Sequence, residues 1–116
     1  MTWLWLAAAT MVVVALVHSV VGERRLVGPI LTINTGVVAR PLGRQVLRFA
    51  WHMTSVLMIL CAVVVAWRDV DPLLVRIVGS AWLAAGLFDA AYTRGRHIGW
   101  PFLTAAGAFA IMGSVK

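Results

Sequence analysis

The sequence predicts an all-α integral membrane protein, a four-helix transmembrane bundle with both termini on the outer side. Hydrophobic residues make up 62% of the 116 residues and charged residues only 12%, about half the charged fraction of a soluble domain. The apolar residues form four long runs, and nearly all of the charges lie between these runs. A chain of this length is too short for two ordinary domains, so we expect one.

The apolar runs place the predicted helices at residues 3–21, 46–67, 73–92 and 99–115. Each of the first three holds about 20 residues, enough at ~1.5 Å per residue to cross a hydrocarbon core of ~30 Å. The fourth run is shorter, and Pro101 suits its first turn, where no N–H group is needed. No lysine or arginine precedes the first run, so we interpret it as a retained helix and not as a signal peptide.

The segment between the first two helices, residues 23–44, is predicted to be an apolar loop. Glycines and prolines interrupt it too often for it to span a membrane. It is therefore expected to lie in the interface or to dip back into the protein. Trp51 and Trp82 lie well inside their helices, and we expect both to pack against other helices.

Most of the positive charge lies at one end of the predicted bundle. Seven of the ten basic residues flank the segments that join the first helix to the second and the third to the fourth: Arg24, Arg25, Arg40, Arg44, Arg48, Arg94 and Arg96. Because positively charged loops stay in the cytoplasm, this arginine-rich end is predicted to face the cytoplasm of a bacterial inner membrane. The arginines flank apolar runs, which indicates anionic lipid headgroups as partners and excludes nucleic acid.

The rare polar residues of the helices fall in one layer near the arginine-rich end. All three histidines lie there, together with the one acidic residue inside a helix and a glutamate just after the first helix: His18, His52, His97, Asp89 and Glu23. On a helix, His52 shares a face with Arg48 and Ser55. A charged group inside hydrocarbon costs roughly 2.5–3.5 kcal/mol at a helix centre, so such groups face the interior and pair. These positions predict a buried pocket of histidines and carboxylates.

Neutral imidazoles combined with carboxylates are ligands of Zn, Cu and Fe. A transition-metal site is therefore the leading functional hypothesis, with His18, His52, His97, Asp89 and Glu23 as its ligands. Four further residues are predicted to support the site: Arg48, Ser55, Tyr92 and Arg96. No HExxH motif is present on any helix, so such a site requires several helices to bring its ligands together.

Three other functions remain open at the level of sequence. The polar residues can form a satisfied hydrogen-bond network in a structural or accessory subunit of a larger membrane complex. His18 and His52 can ligate a haem between two helices. Asp89 and the histidines can serve proton-coupled translocation of an ion or small solute, for which a chain this short has to form a homo-oligomer. No serine-nucleophile elbow or phosphate-binding loop is present, so no reaction is predicted.

Overall fold

The computed structural model describes residues 2–115 and shows an all-helical chain. Helices account for 84% of it, and the described residues contain no strand. In this part of the chain we distinguish four helices: α1 (Thr2–Leu31), α2 (Pro41–Ala66), α3 (Pro72–Tyr92) and α4 (Trp100–Ser114). A short 3₁₀ turn, Gly36–Ala39, lies between α1 and α2. The predicted all-α fold class is confirmed, and the arrangement fits a helical bundle.

Three of the helices, α1, α2 and α3, are long and apolar enough to cross a membrane. Helix α4 is apolar as well but has only 15 residues. At 1.5 Å per residue it is about 22 Å long, which is shorter than a hydrocarbon core of ~30 Å. Pro101 lies in its first turn, as the sequence predicts.

The first helix is longer than predicted. The sequence predicts a loop at residues 23–44, whereas α1 runs on to Leu31. Pro29 lacks an N–H group and its ring crowds the carbonyl four residues before it. The helix accommodates it by widening into a π-helical turn, Glu23–Val27. The N–H of Gly28 donates to the carbonyl of the first residue of that turn, and a Cβ on this glycine would lie 2.8 Å from the same oxygen.

The connection between α1 and α2 is shorter than predicted, because α1 ends later and because α2 begins at Pro41 and not at residue 46. Pro41 occupies the first turn of α2, where its missing N–H leaves no hydrogen bond unmade. The Arg44 side chain donates to the Val38 carbonyl at 2.6 Å and so fixes the 3₁₀ turn to the start of α2. The predicted apolar loop therefore shrinks to residues 32–40.

Helix α1 is the central element of the bundle. It packs against α2 and against α4, while α3 packs against α4 and makes few contacts with α2. The hydrophobic core follows this order, with Met11, Val65 and Val75 fully buried. Trp82 is buried in the same core, which confirms its predicted packing role. The arginine-rich end of α1 thus lies between two neighbouring helices.

Glycines allow α3 and α4 to approach each other closely. A Cβ added to Gly86 would lie 2.5 Å from the backbone nitrogen of Thr104, and one added to Gly107 would lie 2.4 Å from the backbone nitrogen of Leu83. Each glycine therefore packs directly against the backbone of the opposite helix. Small residues at such contacts are typical of helices that associate without a strong hydrophobic driving force.

Replacing Gly86 should separate α3 from α4. We expect Gly86→Val to lower the free energy of unfolding by about 1–3 kcal/mol, the usual range for overpacking, since the Thr104 backbone cannot move aside as a side chain can. Thermal unfolding of the purified protein in detergent measures this. Ala84→Val, at an exposed position of the same helix, is the control and should leave the midpoint unchanged. Equal midpoints for the two variants would contradict the close helix contact.

Candidate functional site

The polar residues of the arginine-rich end separate into two clusters. The first, which we call the Glu23 network, joins α1 to α2 and consists of Ser19, Glu23, Arg48, His52 and Ser55. The second is a pair between Asp89 near the end of α3 and His97 in the turn before α4. His18 belongs to neither and stacks on Trp51. The histidines and carboxylates therefore do not share a single pocket.

Helical spacing places the members of the Glu23 network. Ser19 and Glu23 are four residues apart on α1, and Arg48 and His52 are four residues apart on α2, so each pair shares a face. Ser55 is three residues beyond His52 on that same face. The predicted polar stripe of α2 thus points toward α1.

The hydrogen bonds of the network form a continuous chain. The Arg48 guanidinium lies 2.7 Å from Glu23 Oε1, and Glu23 Oε2 lies 2.9 Å from His52 Nε2. On the other side of the imidazole, Nδ1 lies 2.9 Å from Ser19 Oγ. The Ser19 and Ser55 oxygens are 2.7 Å apart. The chain runs from half-exposed Arg48 to buried Ser55.

In this series of hydrogen bonds, both ring nitrogens of His52 have a partner. One faces a carboxylate oxygen and the other a hydroxyl oxygen. A metal ion bound to His52 would have to replace one of these partners. The network in its present form is satisfied by protein groups alone.

His18 is held by a different set of contacts. Its ring stacks on Trp51 with centroids 4.2 Å apart and planes 8° apart, and the Trp51 indole N–H donates to the His18 carbonyl at 3.0 Å. Gly22 makes room for the indole, because a Cβ there would lie 2.5 Å from the ring. Nε2 of His18 is sealed from solvent and has no hydrogen-bond partner among the described residues. A buried polar atom without a partner is uncommon in proteins.

The Asp89–His97 pair is built by the turn between α3 and α4. His97 Nδ1 is hydrogen-bonded to Asp89 Oδ2, and the His97 backbone N–H donates to the Thr93 hydroxyl at 3.3 Å. Gly99 lies beneath the ring, since a Cβ there would lie 2.8 Å from His97 Cε1. A carboxylate on Nδ1 fixes the orientation of the imidazole and leaves Nε2 directed elsewhere.

A cavity of about 320 Å³ lies between α1, α2 and the start of α4. His18, His97, Trp51 and Arg25 contribute to its lining, and the rest of the wall is mostly apolar. A larger cleft of about 570 Å³ at the opposite end of the bundle is lined by no histidine. Of these two spaces, the smaller one is therefore the one lined by histidines.

The predicted metal ligands do not converge on one point. Among residues 2–115, no group of three or more His, Cys, Asp or Glu side chains is placed to hold a metal ion. Glu23 and His52 contact each other, Asp89 and His97 contact each other, and His18 reaches neither carboxylate. The metal hypothesis stays a prediction, with His18 and His97 as the two ligands that line a common cavity.

The predicted supporting residues have different surroundings. Arg48 and Ser55 belong to the Glu23 network, as described above. Tyr92 is 80% exposed, and its ring stacks on Phe88 at 5.6 Å, away from Asp89. Arg96 is exposed and forms no ion pair with a described carboxylate.

Two residues of the site were not identified from the sequence. Ser19 sits between His52 and Ser55, and its spacing of four residues from Glu23 was a usable signal. Gly22 lies just beyond the predicted end of the first helix at residue 21, whereas in the structure it lies within a continuing helix beneath Trp51. Trp51, expected to pack, also donates the hydrogen bond that joins α2 to the α1 backbone.

Comparisons with known proteins provide no relative for this chain. No family model matches it, and no curated protein and no solved structure is significantly similar to it. A functional argument therefore rests on the geometry described above.

A side chain at position 22 should disturb the Trp51–His18 stack. We expect Gly22→Ala to displace the indole, change the near-UV circular dichroism and lower the unfolding free energy by about 1–3 kcal/mol, as overpacking does. Adding Trp51→Leu should recover part of the loss, because the two substitutions act on one contact. Ala9→Val, exposed on the same helix, is the control. Strictly additive effects of Gly22→Ala and Trp51→Leu would contradict this contact.

Proposed function

We propose that this chain is an integral protein of a bacterial inner membrane, with four spanning helices, that binds a small lipid-soluble ligand at its cytoplasmic end. Large apolar side chains on the outward faces of the helices support insertion, among them Leu16, Leu57, Leu60, Ile77 and Phe102, each more than half exposed. Soluble monomers rarely expose apolar surface so extensively, whereas lipid-facing helices require it.

The distribution of arginines supports the orientation. The connection 32–40, the turn 93–99 and the adjacent helix ends carry seven of the ten basic residues. By the positive-inside rule this end faces the cytoplasm and contacts anionic headgroups. Of the other three basic residues, Arg68 and Arg76 lie toward the opposite end, and Lys116 lies outside the described residues.

The ligand-binding proposal is carried by the cavity that His18 and His97 share. Its volume is at the lower end of the range for small-molecule sites. The apolar wall favours a ligand with an apolar body, while the two imidazoles and Arg25 in the lining favour a polar group at one end of it.

A transition metal is the second candidate ligand. The Asp89 carboxylate on His97 Nδ1 is the arrangement that orients histidine ligands of metal ions, with Nε2 free to coordinate. Zn, Cu or Fe held by His97 and His18 would need further ligands from outside the described residues or from a second copy. Haem receives less support, because both nitrogens of His52 are already hydrogen-bonded.

Translocation and an accessory role are less favoured by the geometry. The Glu23 network ends at Ser55, and buried residues farther along α2 are apolar, such as Ala62 and Val65. A continuous pathway for an ion needs polar groups through the whole depth. An accessory subunit requires no ligand, so ligand analysis separates that alternative from the proposal.

Filling the cavity should remove the ligand. Protein purified in mild detergent should release a stoichiometric small organic compound on solvent extraction, detected by mass spectrometry, and Leu103→Trp, which projects into the cavity, should lower its amount at least tenfold. Leu60→Trp, exposed on α2, is the matched control. Elemental analysis of the same samples and of His97→Ala tests for metal. If the wild type carries neither an organic compound nor a metal, the ligand-binding proposal is wrong and an accessory role is favoured.

A further inference from the structure

We infer that Ser19, His52 and Glu23 form a serine–histidine–carboxylate triad whose nucleophile, Ser19, reacts with ester carbonyls of membrane lipids. The hydroxyl lies 2.9 Å from one nitrogen of the imidazole, and the carboxylate lies 2.9 Å from the other. A nucleophile bonded to a base that is itself oriented by a third group is the general signature of an activated hydroxyl. None of the three residues lines the cavity described above, so this inference does not depend on the proposed ligand.

The direction of the hydrogen bonds follows from the carboxylate. An ionised carboxylate only accepts, so His52 Nε2 carries a hydrogen and donates to Glu23. In the neutral imidazole Nδ1 then has a lone pair, and the Ser19 hydroxyl donates to it. When His52 is protonated, Nδ1 donates to Ser19 instead and the Ser19 hydroxyl donates to Ser55. A single proton on His52 therefore switches Ser19 between the activated and the inactive state.

Arg48 and Ser55 complete the arrangement from its two ends. Arg48, 2.7 Å from the second carboxylate oxygen, holds Glu23 in place and stabilises its charge. Glu23 is thus a positioning residue for His52. At the other end the Ser55 hydroxyl accepts from Ser19 Oγ at 2.7 Å, and it can turn to donate once Ser19 gives its hydrogen to His52. It is placed to donate to negative charge that develops beside Ser19.

Position and exposure indicate the substrate class. The side chains of His52 and Glu23 are 37% and 31% exposed, and Ser19 is partly exposed as well. The triad lies on the contact of α1 with α2, with Ser19 and His52 about one turn farther into the bundle than Arg24 and Arg48. In the proposed membrane this is the boundary between hydrocarbon and headgroups, where the ester carbonyls of glycerolipids lie. Arg24, exposed directly after Glu23, favours a lipid with an anionic headgroup.

The reaction uses the lipid ester and water. Ser19 Oγ bonds to the carbonyl carbon while its proton moves to His52 Nδ1, and the alcohol of the ester leaves with that proton as the carbon–oxygen bond breaks. Water then attacks the acyl-serine and gives a proton to Nδ1, which returns it to Ser19 as the fatty acid departs. In the serine protease triad, Nε2 faces the serine and Nδ1 faces the carboxylate. Here Nδ1 is the base that faces Ser19, and Nε2 is the donor to Glu23.

A fluorophosphonate probe tests the nucleophile directly. The Ser19 oxygen bonds to phosphorus and fluoride leaves, so mass spectrometry of the detergent-purified protein should locate one adduct on Ser19. We expect no adduct in Ser19→Ala, and labelling at least tenfold slower in His52→Gln and in Glu23→Gln, with a cooperative thermal unfolding transition as the check on folding. Ser80→Ala, at an exposed position of α3, should label like the wild type.

A second measurement addresses the substrate. The wild type reconstituted in vesicles that contain a phosphatidylglycerol with a fluorescent acyl chain should release labelled fatty acid, and Ser19→Ala should not. Vesicles of phosphatidylcholine should react more slowly if the anionic headgroup is recognised. An unlabelled Ser19 in the folded wild type, or equal labelling rates in wild type and His52→Gln, would show that the network is structural and would overturn the inference.

Discussion

The arrangement of the arginine-rich end depends on the compensation of one charge, the Glu23 carboxylate within an apolar helix. Such a group is unfavourable beside hydrocarbon unless both of its oxygens find donors. Arg48 supplies one donor and His52 the other. Because both donors come from α2, compensation of the charge joins α1 to α2 and turns their polar faces toward each other at this level. The Ser19–Ser55 hydrogen bond continues the polar contact between α1 and α2 by about one turn toward the middle of the bundle.

The central position of α1 gives the two sides of this helix different chemistry. On one side Ser19 and Glu23 meet α2 in a saturated polar network. On another, His18 stacks on Trp51 and borders the cavity that extends to α4. Gly22 permits the indole to lie between these regions. The proposed ligand site and the inferred triad are therefore close in space, yet each can be altered without removing a residue of the other.

The approximate positions of the helices are predicted well from the sequence, because each helix coincides with a long apolar run. The sequence also predicts the polar face of α2, since His52, Arg48 and Ser55 follow helical periodicity. It misplaces the end of α1, because Pro29 ordinarily stops a helix and the π-helical turn that accommodates it depends on Gly28 and on packing. The partner of each histidine was not predictable, because depth along a helix says nothing about how neighbouring helices are rotated about their axes.

The most direct test of this account is the distance between α1 and α2 at Ser19 and Ser55. In a Cys61→Ser background, which removes the single native cysteine, the pair Ser19→Cys and Ser55→Cys should form an intramolecular disulfide on mild oxidation, because the parent oxygens are 2.7 Å apart. Mass spectrometry after thiol alkylation should then find both thiols protected. In the control pair, Ser19→Cys with Ser80→Cys, both thiols should stay free after oxidation and should therefore become alkylated. Full alkylation of positions 19 and 55 in the folded protein would contradict the network on which this account depends.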